Sequence, residues 1–415
     1  MKKFVKIQLG SFINLITDYH ANGSYKVLKS NIQIKYKPDY AIMIRTLNFE
    51  QNDFTNDLIY IDEHAYNFLS KSIVMPNDIL INKIANPGNI YLMPDINKKV
   101  SCGMNLFLIR FDNKVNQIYM YYNLKSNEKK LKKLAHGTTT KTITKDDIRD
   151  FEIIMHHDVS TQNIIAYLLY YIDKSIELKY KINSELEQMA KILYNYWFIQ
   201  FDFPDENGRP YKSSGGKMVW NEELKKEIPE GWEVKYINDI AKTTAKNIIP
   251  INNVLYKYYS LPSVSKNKSY IEEYGNNILS SKYIINHNCI LVNKLNPLDS
   301  RVIFIPNEDN QICSTEFIVL QQENNFLRSY IYSTLCSEHF KIYCKQRISG
   351  AIHKRVAPQL VYNYKISYNE NIVNKYGNII YNILFKINNA IQENRELTSL
   401  RDFLLPLLMN GQALI

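Results

Sequence analysis

Leu193-Tyr-Asn-Tyr-Trp-Phe-Ile-Gln-Phe-Asp-Phe-Pro204 closes the stretch around which this chain is organised, Asp158 to Phe203. The stretch reads as one long helix running into an aromatic exit. Ile165, Leu168, Ile172, Ile182, Leu186, Met189, Leu193 and Tyr196 fall on the a and d positions of a single heptad frame. Ser175 and Lys179 are the misfits, and Ile176 lies beside the gap. An apolar repeat every 3.5 residues is the pattern of a helix that pairs with another helix; a plain buried helix is the alternative. About 40 residues at ~1.5 Å each make a rod of roughly 60 Å, long enough to set a distance.

On either side of this helix the sequence repeats itself, and a repeat decides a fold before any local propensity does. Asp78-Ile-Leu-Ile-Asn-Lys-Ile84 returns as Cys289-Ile-Leu-Val-Asn-Lys-Leu295, and the spacing from Lys83 to Cys102 equals that from Lys294 to Cys313. Leu106-Phe-Leu-Ile109 is answered by Phe317-Ile-Val-Leu320. Gly137-x3-Lys141 through Ile153 is answered by Gly350-x3-Lys354 through Ile366, and Asn163-Ile-Ile by Asn378-Ile-Ile. Both copies begin with short strand-like runs such as Tyr40 to Arg45, and both carry an Asn-Pro turn signal, Asn86-Pro87 and Asn296-Pro297. Helical segments such as Leu327 to Gln346 interrupt the strands, so each copy reads as an α+β domain.

A second long helix follows the second copy from about Ile372 to Met409. Ile380, Ile383, Ile387, Ala390, Leu397, Leu400, Leu404 and Leu407 share one side, and Pro406 is expected to kink or end it. The organisation is therefore a first domain, 1–157; a spacer helix, 158–203; a connector, 204–229; a second domain, 230–369; and a C-terminal spacer helix, 370–415. The connector is rich in Pro, Gly, Asn and Ser but holds Trp220 and Trp232, which predicts that it is packed. The fold class is α+β, with two repeated domains separated and followed by long antiparallel coiled-coil helices about a pseudo-twofold axis.

Composition excludes several classes. Of 415 residues, 45% are hydrophobic and 22% charged, which is ordinary for globular domains and not for disorder. The net charge of +10 suits a polyanionic partner. The five cysteines form no C-x-x-C pair, which argues against a disulfide framework or zinc site and for a reducing cytoplasm. No signal-like leader and no membrane-length apolar run are present, so no membrane partner is expected.

Two similar domains on antiparallel helices form a pseudo-twofold object, which suits duplex DNA, whose strands are themselves related by twofold symmetry. The segment Leu193 to Val234 resembles the central region of the specificity subunits of type I restriction-modification systems. The motifs are the Trp197-to-Pro204 run, the Ile228-Pro-Glu-Gly-Trp-Glu233 run that opens the second domain, the twin Ile-Leu-x-Asn-Lys strands and the Gly-loop-Lys stretches. The two copies resemble that family's paired target recognition domains, and the resemblance covers almost the whole chain. It implies a non-catalytic subunit that binds a bipartite double-stranded DNA target, one half-site per domain. It also implies two methyltransferase subunits as partners, using S-adenosylmethionine to modify adenine N6, and restriction subunits that use ATP and Mg. No cofactor is expected in this chain.

Lys83 and Lys294, each at a strand end before the Asn-Pro turn, are candidates for phosphate contact; a solvated strand end is the alternative. The two Gly-Lys loops supply Thr138, Thr139 and Lys141 in one copy and Ser349, His353, Lys354 and Arg355 in the other as DNA-facing candidates. Arg45, Arg301 and Arg347 are the candidate guanidinium readers of guanine. Tyr194, Tyr196, Trp197, Phe198 and Phe201 exceed what one helix seam needs, which suggests packing on a methyltransferase subunit or on the connector. Ile165, Leu168, Ile172, Leu186, Leu193, Ile383, Ile387 and Leu397 are the expected seam.

Enzyme readings fail on their motifs. No Asn/Asp-Pro-Pro-aromatic loop and no glycine-rich cofactor turn occurs, Gly216-Lys217-Met218 lacks the rest of a P-loop, and no metal is expected. Pro204-Asp205 with Glu223 and Lys225 can be forced into a nuclease pattern only on a Pro/Gly connector, which gives metal ligands no rigid scaffold. The competing class is a protein-binding scaffold, or a degenerate member of the resembled family. Salt separates a scaffold from a DNA reader, because cationic contacts to DNA weaken linearly in log K against log salt.

Overall fold

The structure is a computed structural model that describes residues 4–138, 140–243, 245–295, 302–306, 308–347 and 355–412. It divides into two compact units: Met1–Ile176 with Leu397–Ile415, and Glu177–Glu396. Each unit holds one of the α+β domains and one end of each long helix.

In the first unit an antiparallel sheet runs in the order Ile13–Asp18, Leu106–Phe111, Ile79–Asn82, Ile90–Leu92. A second sheet runs Tyr60–Ile61, Ala41–Ile44, Val100–Cys102, Ile73–Val74, and its middle pair is parallel, with Ile44 opposite Cys102. The second unit repeats the plan. Its antiparallel sheet is Lys242–Thr243, Phe317–Gln321, Cys289–Asn293, Val302–Phe304. Its other sheet is Lys246–Ile248, Lys282–Ile284, Gln311–Cys313, Leu255–Tyr259, Ile271–Tyr274, with Tyr259 opposite Cys313 in a parallel pair. The repeated Ile-Leu-x-Asn runs are thus central strands, buried at every position. That burial on both faces is why they read as unbroken apolar runs rather than alternating ones.

The first long helix, Val159–Tyr194, is capped by Asp158, whose carboxylate accepts the Thr161 N–H at 2.9 Å. Hydrogen bonds from the Ser160 hydroxyl and from Thr161 hold that carboxyl well below the usual range. A single π turn, Asn195–Ile199, ends the helix, and Phe201 then takes a left-handed φ of 63°. A phenylalanine in that region costs roughly 1–2 kcal/mol, which the burial of its ring offsets. The second long helix, Glu370–Met409, continues past Pro406 instead of ending there. Among the described residues, no helix is long and apolar enough to cross a membrane.

The helices run antiparallel within each unit. In the first, Arg401 donates to Asp173 at 2.8 Å, and Tyr122 donates to the same carboxylate at 2.6 Å. In the second, Lys179 pairs with Glu393 and the Asn183 amide reaches the Ile387 carbonyl at 3.5 Å.

The seam differs from expectation at one face. Ile165 and Ile172 are buried, Ile383 and Ile387 join the core of the second unit, and Leu186 and Leu193 pack against it. Leu397 is half-buried. Leu168, however, is 40% exposed, whereas Leu169 is fully buried. The buried line is Ile165, Leu169, Ile172, Ile176, Asn183, Leu186, Ala190 and Leu193, with Lys179 inside it through its ion pair. Both frames share Ile165, Ile172, Leu186 and Leu193 and differ only in whether the alternate position comes three or four residues later. Each frame has one polar residue among its alternate positions, Ser175 in one and Asn183 in the other, so the 3.5-residue repeat alone does not choose between them.

Of the two packings expected for the exit aromatics, on a methyltransferase subunit or on the connector, four of the five rings show the one within the chain. Tyr194, Trp197, Phe198 and Phe201 belong to the core of the second unit, against Tyr330, Tyr376 and the connector's Trp232. Of the five expected to meet a partner, Tyr196 alone is exposed. The connector is packed at its start, where Phe203 stacks on Tyr211 at 4.7 Å and Asp202 accepts from the Ser213 N–H and hydroxyl at 2.7 Å, and Trp232 packs on the core, but Trp220, against expectation, is 59% exposed.

Candidate nucleic-acid interface

The two central strands end at lysines held by the same set of backbone hydrogen bonds. In the first domain the Lys83 N–H donates to the Asn105 carbonyl at 2.9 Å, and the Lys83 carbonyl accepts from Ile143 N–H at 3.1 Å. Ile84 bridges to Thr142. In the second domain Lys294 donates to Glu316 at 3.0 Å, accepts from Val356 at 2.9 Å, and is followed by a bridge from Leu295 to Arg355. One step away, Gly103 N–H donates to the Ile44 carbonyl at 2.9 Å, and Ser314 N–H to that of Tyr259 at 3.1 Å. After these strands, Arg45 N–H is capped by the Asn48 side chain and Ser260 N–H by that of Ser263, both at 3.0 Å. Each domain therefore gathers a strand-end lysine and the turn after the parallel strand onto one end of its sheets, joined there by the Gly-Lys loop in the first domain and by Arg355 and Val356 in the second.

The first loop is closed by a reciprocal backbone pair between His136 and Thr142, both bonds 2.8 Å. Gly137 turns it at φ 107°, where a Cβ would lie 2.5 Å from the Thr140 carbonyl oxygen, so only glycine fits. Thr138 and Lys141 stand exposed on it. Thr139, and in the second domain Arg301, Ser349, His353 and Lys354, lie outside the described residues.

Lys83 is not presented to solvent. Its side chain is 8% exposed and its Nζ sits 2.7 Å from Asp18, which also accepts from Lys145 at 2.9 Å. Burial alone would raise the Asp18 carboxyl, but the hydrogen bonds and charges of the two lysines outweigh it and hold it below its ordinary value. As placed, Lys83 secures the strand end from beneath the loop. Lys294 differs: its Nζ donates to the Thr315 carbonyl at 2.7 Å, and among the described residues no carboxylate pairs with it. Arg355 is exposed and paired with Glu316 at 2.8 Å. Arg347 lies over the Tyr343 ring at 4.2 Å with its outer face open.

Asp18 and Lys145 escaped the sequence reading, since nothing local in either segment marks them as partners of Lys83. A second omission was legible: Glu128-Lys-Lys-Leu-Lys-Lys133 is a basic run. Its helix, Glu128–Lys132, seats Leu131 in the core and leaves Lys129, Lys130 and Lys133 exposed, just before the Gly137 loop. Lys132 comes within contact of Gly88, in the turn that follows Lys83.

These features provide exposed hydroxyls, backbone groups and cations on rigid strand ends, which suits contact with a polyanion. They do not suit nucleophilic chemistry. Burial pushes the thiol of Cys102 to about 12 and raises that of Cys313 likewise.

A family model described as the type I restriction modification DNA specificity domain matches residues 1–188. The type I restriction enzyme MjaIX specificity subunit of Methanocaldococcus jannaschii is 28% identical over 310 residues, 71% of this chain and 68% of that protein. The HindI specificity subunit of Haemophilus influenzae is 23% identical over 419 residues, 83% of this chain and 88% of that one. In fold, the chain resembles the crystal structure of a type I restriction-modification S subunit from M. genitalium, with a TM-score of 0.63 at 17% identity over 98% of this chain and 96% of the other.

Proposed function

We take as premise that this chain belongs to the family of type I restriction-modification specificity subunits, and propose that each of its two domains reads one half of a bipartite duplex DNA target. The observation that carries this reading is the twin strand-end cluster: one hydrogen-bond scaffold, built twice, bearing different side chains. A scaffold kept while its decoration changes is what reading two different half-sites requires. The positive net charge supplies the sequence-independent part of the affinity. The chain itself is proposed to be non-catalytic and to act in the cytoplasm without a cofactor of its own. Methyl transfer from S-adenosylmethionine to adenine N6, and restriction driven by ATP with Mg, belong in this proposal to the partner subunits.

The methyltransferase subunits are proposed to dock on the solvent face of the first long helix. Within the first unit Ile164, Leu168 and Tyr171 are exposed there, and within the second Leu178, Ile182, Met189 and Ile192. These positions keep a 3.5-residue repeat, so the helix carries a second apolar line beside its buried one. Exposed apolar residues in such a line suit a helical partner.

The test is modified-base sequencing in a methylation-free host that carries this chain with its neighbouring methyltransferase. Methylated adenines in a split motif with a fixed unspecified gap, on both strands, are the expected result. An assembled complex that modifies nothing would refute the reading.

A further inference from the structure

The two strand-end clusters sort their own residues, and this rests on the DNA reading above. Both half-sites have phosphates, so a side chain that contacts phosphate should stay basic in both domains. A side chain that contacts bases should change with the half-site. Lysine stands at 83 and at 294, but Lys83 is turned inward onto Asp18, so of the two only Lys294 is placed for a phosphate. By contrast, Arg45, Met104 and Asn105 of the first domain are replaced, at the matching hydrogen-bonded positions, by Ser260, Thr315 and Glu316. The polar exchanges replace a guanidinium by a hydroxyl and a neutral amide by a carboxylate at the same backbone sites.

In the first domain these three residues surround a recess of about 170 Å³. Leu47 and Met104 give it apolar walls, and Asn105 and Met104 are exposed. Arg45 lines the recess. The Asp57 carbonyl accepts from its Nη2 and fixes the guanidinium, while the buried Nε has no hydrogen-bond partner among the described residues. A recess with apolar walls and a fixed planar donor group admits the flat edge of a base more readily than a tetrahedral phosphate. Among base edges, the one that offers two acceptors side by side is guanine, through O6 and N7.

We propose that Arg45 reads a guanine in the half-site of the first domain, with the recess around Arg45 and Asn105 receiving its O6/N7 edge. The second domain, with Ser260 and Glu316 in the same places, rejects that edge and suits a base that offers an amino group there.

The test uses the full chain assembled with its methyltransferase partner. In modified-base sequencing, Arg45→Met and Arg45→Lys should each relax one guanine of the motif, since a lysine cannot reproduce the planar fork. Discrimination there should fall by about tenfold to a hundredfold, with the other half and the gap unchanged. In parallel, 7-deazaguanine at that position, which lacks the N7 acceptor, should weaken binding by the wild-type complex at least severalfold and leave the Arg45→Met complex unaffected. A guanine-free motif, a guanine unaffected by Arg45, or an equal 7-deazaguanine penalty in both complexes would overturn the proposal while leaving DNA recognition intact. A wild-type complex with no split motif would instead refute the reading on which it rests.

Discussion

Lys83 and Lys294 occupy the same place in the repeat and do different work. Lys83 is buried against Asp18 with Lys145 on the other oxygen, so its charge is spent within the protein. Lys294 has the Thr315 carbonyl and the Tyr283 ring at 5.8 Å, but no carboxylate among the described residues, for its ammonium and keeps its charge for a partner. Lys294→Met should therefore reduce the dependence of log K on log salt by about 0.9, one phosphate contact, with little loss of stability. Lys83→Met should lower the stability of the first domain by about 1–3 kcal/mol, less than a fully orphaned buried carboxylate because Lys145 remains. Denaturant titration checks the second and salt-dependent binding the first. The pH dependence follows from the depressed Asp18 carboxyl. Its stabilisation is complete above the unfolded-state value near 3.8 and is lost as pH falls through the lower folded value. Asp18→Asn should accordingly be less stable at neutral pH and flatter in acid unfolding; an unchanged acid limb would show that Asp18 is not the responsible group. None of this was legible at Lys83 itself, because its partners arrive from a distant strand end, Asp18, and a distant helix start, Lys145, and a lysine at a strand end reads as solvated.

At the scale of elements, the sequence yielded the helices, their antiparallel pairing and the doubled domain, because those rest on periodicity and self-similarity. It misplaced the faces. Leu168 and Leu169 are adjacent leucines, and a heptad count accepts either, yet one is exposed and the other has no accessible surface. The choice is made by what each meets: Leu169 enters the first unit's core with Ile165, Leu408 and Met409. Leu169→Ala should cost about 2–5 kcal/mol of stability. Leu168→Asp should leave thermal unfolding almost unchanged and instead weaken co-purification with the methyltransferase subunit. Reversal of that pattern would return the seam to the frame that the heptads first suggested and would remove the docking face. The aromatic exit misled for a related reason. A cluster of rings looks excessive for a two-helix seam, but a π turn and the left-handed Phe201 aim Tyr194, Trp197 and Phe198 into a domain core whose contribution lies more than a hundred residues downstream at Tyr330 and Tyr376.

At the scale of the whole molecule, each unit carries its own sheets, its own core and its own strand-end cluster. Substitutions in the two clusters share no side-chain partner: Arg45 is tied to the Asp57 carbonyl, and Glu316 to Arg355. Effects of independent sites add to within about 0.5 kcal/mol, whereas residues of one network do not. If each domain reads its own half-site, the binding losses of Arg45→Met and Glu316→Gln should therefore sum in the double variant, and each should change one half of the modified motif. Arg355 supplies the internal contrast. Glu316→Gln and Arg355→Ala should be non-additive, because each removes the same ion pair. The measurement is equilibrium binding of the assembled complex to the full bipartite duplex at two salt concentrations, with the wild type and all five variants compared. Additivity across the units with coupling inside one supports two independent readers on one chain. Strong coupling between Arg45 and Glu316 would mean instead that the two half-sites are sensed as a single object, and the doubled scaffold would then have to be explained by something other than independent readout.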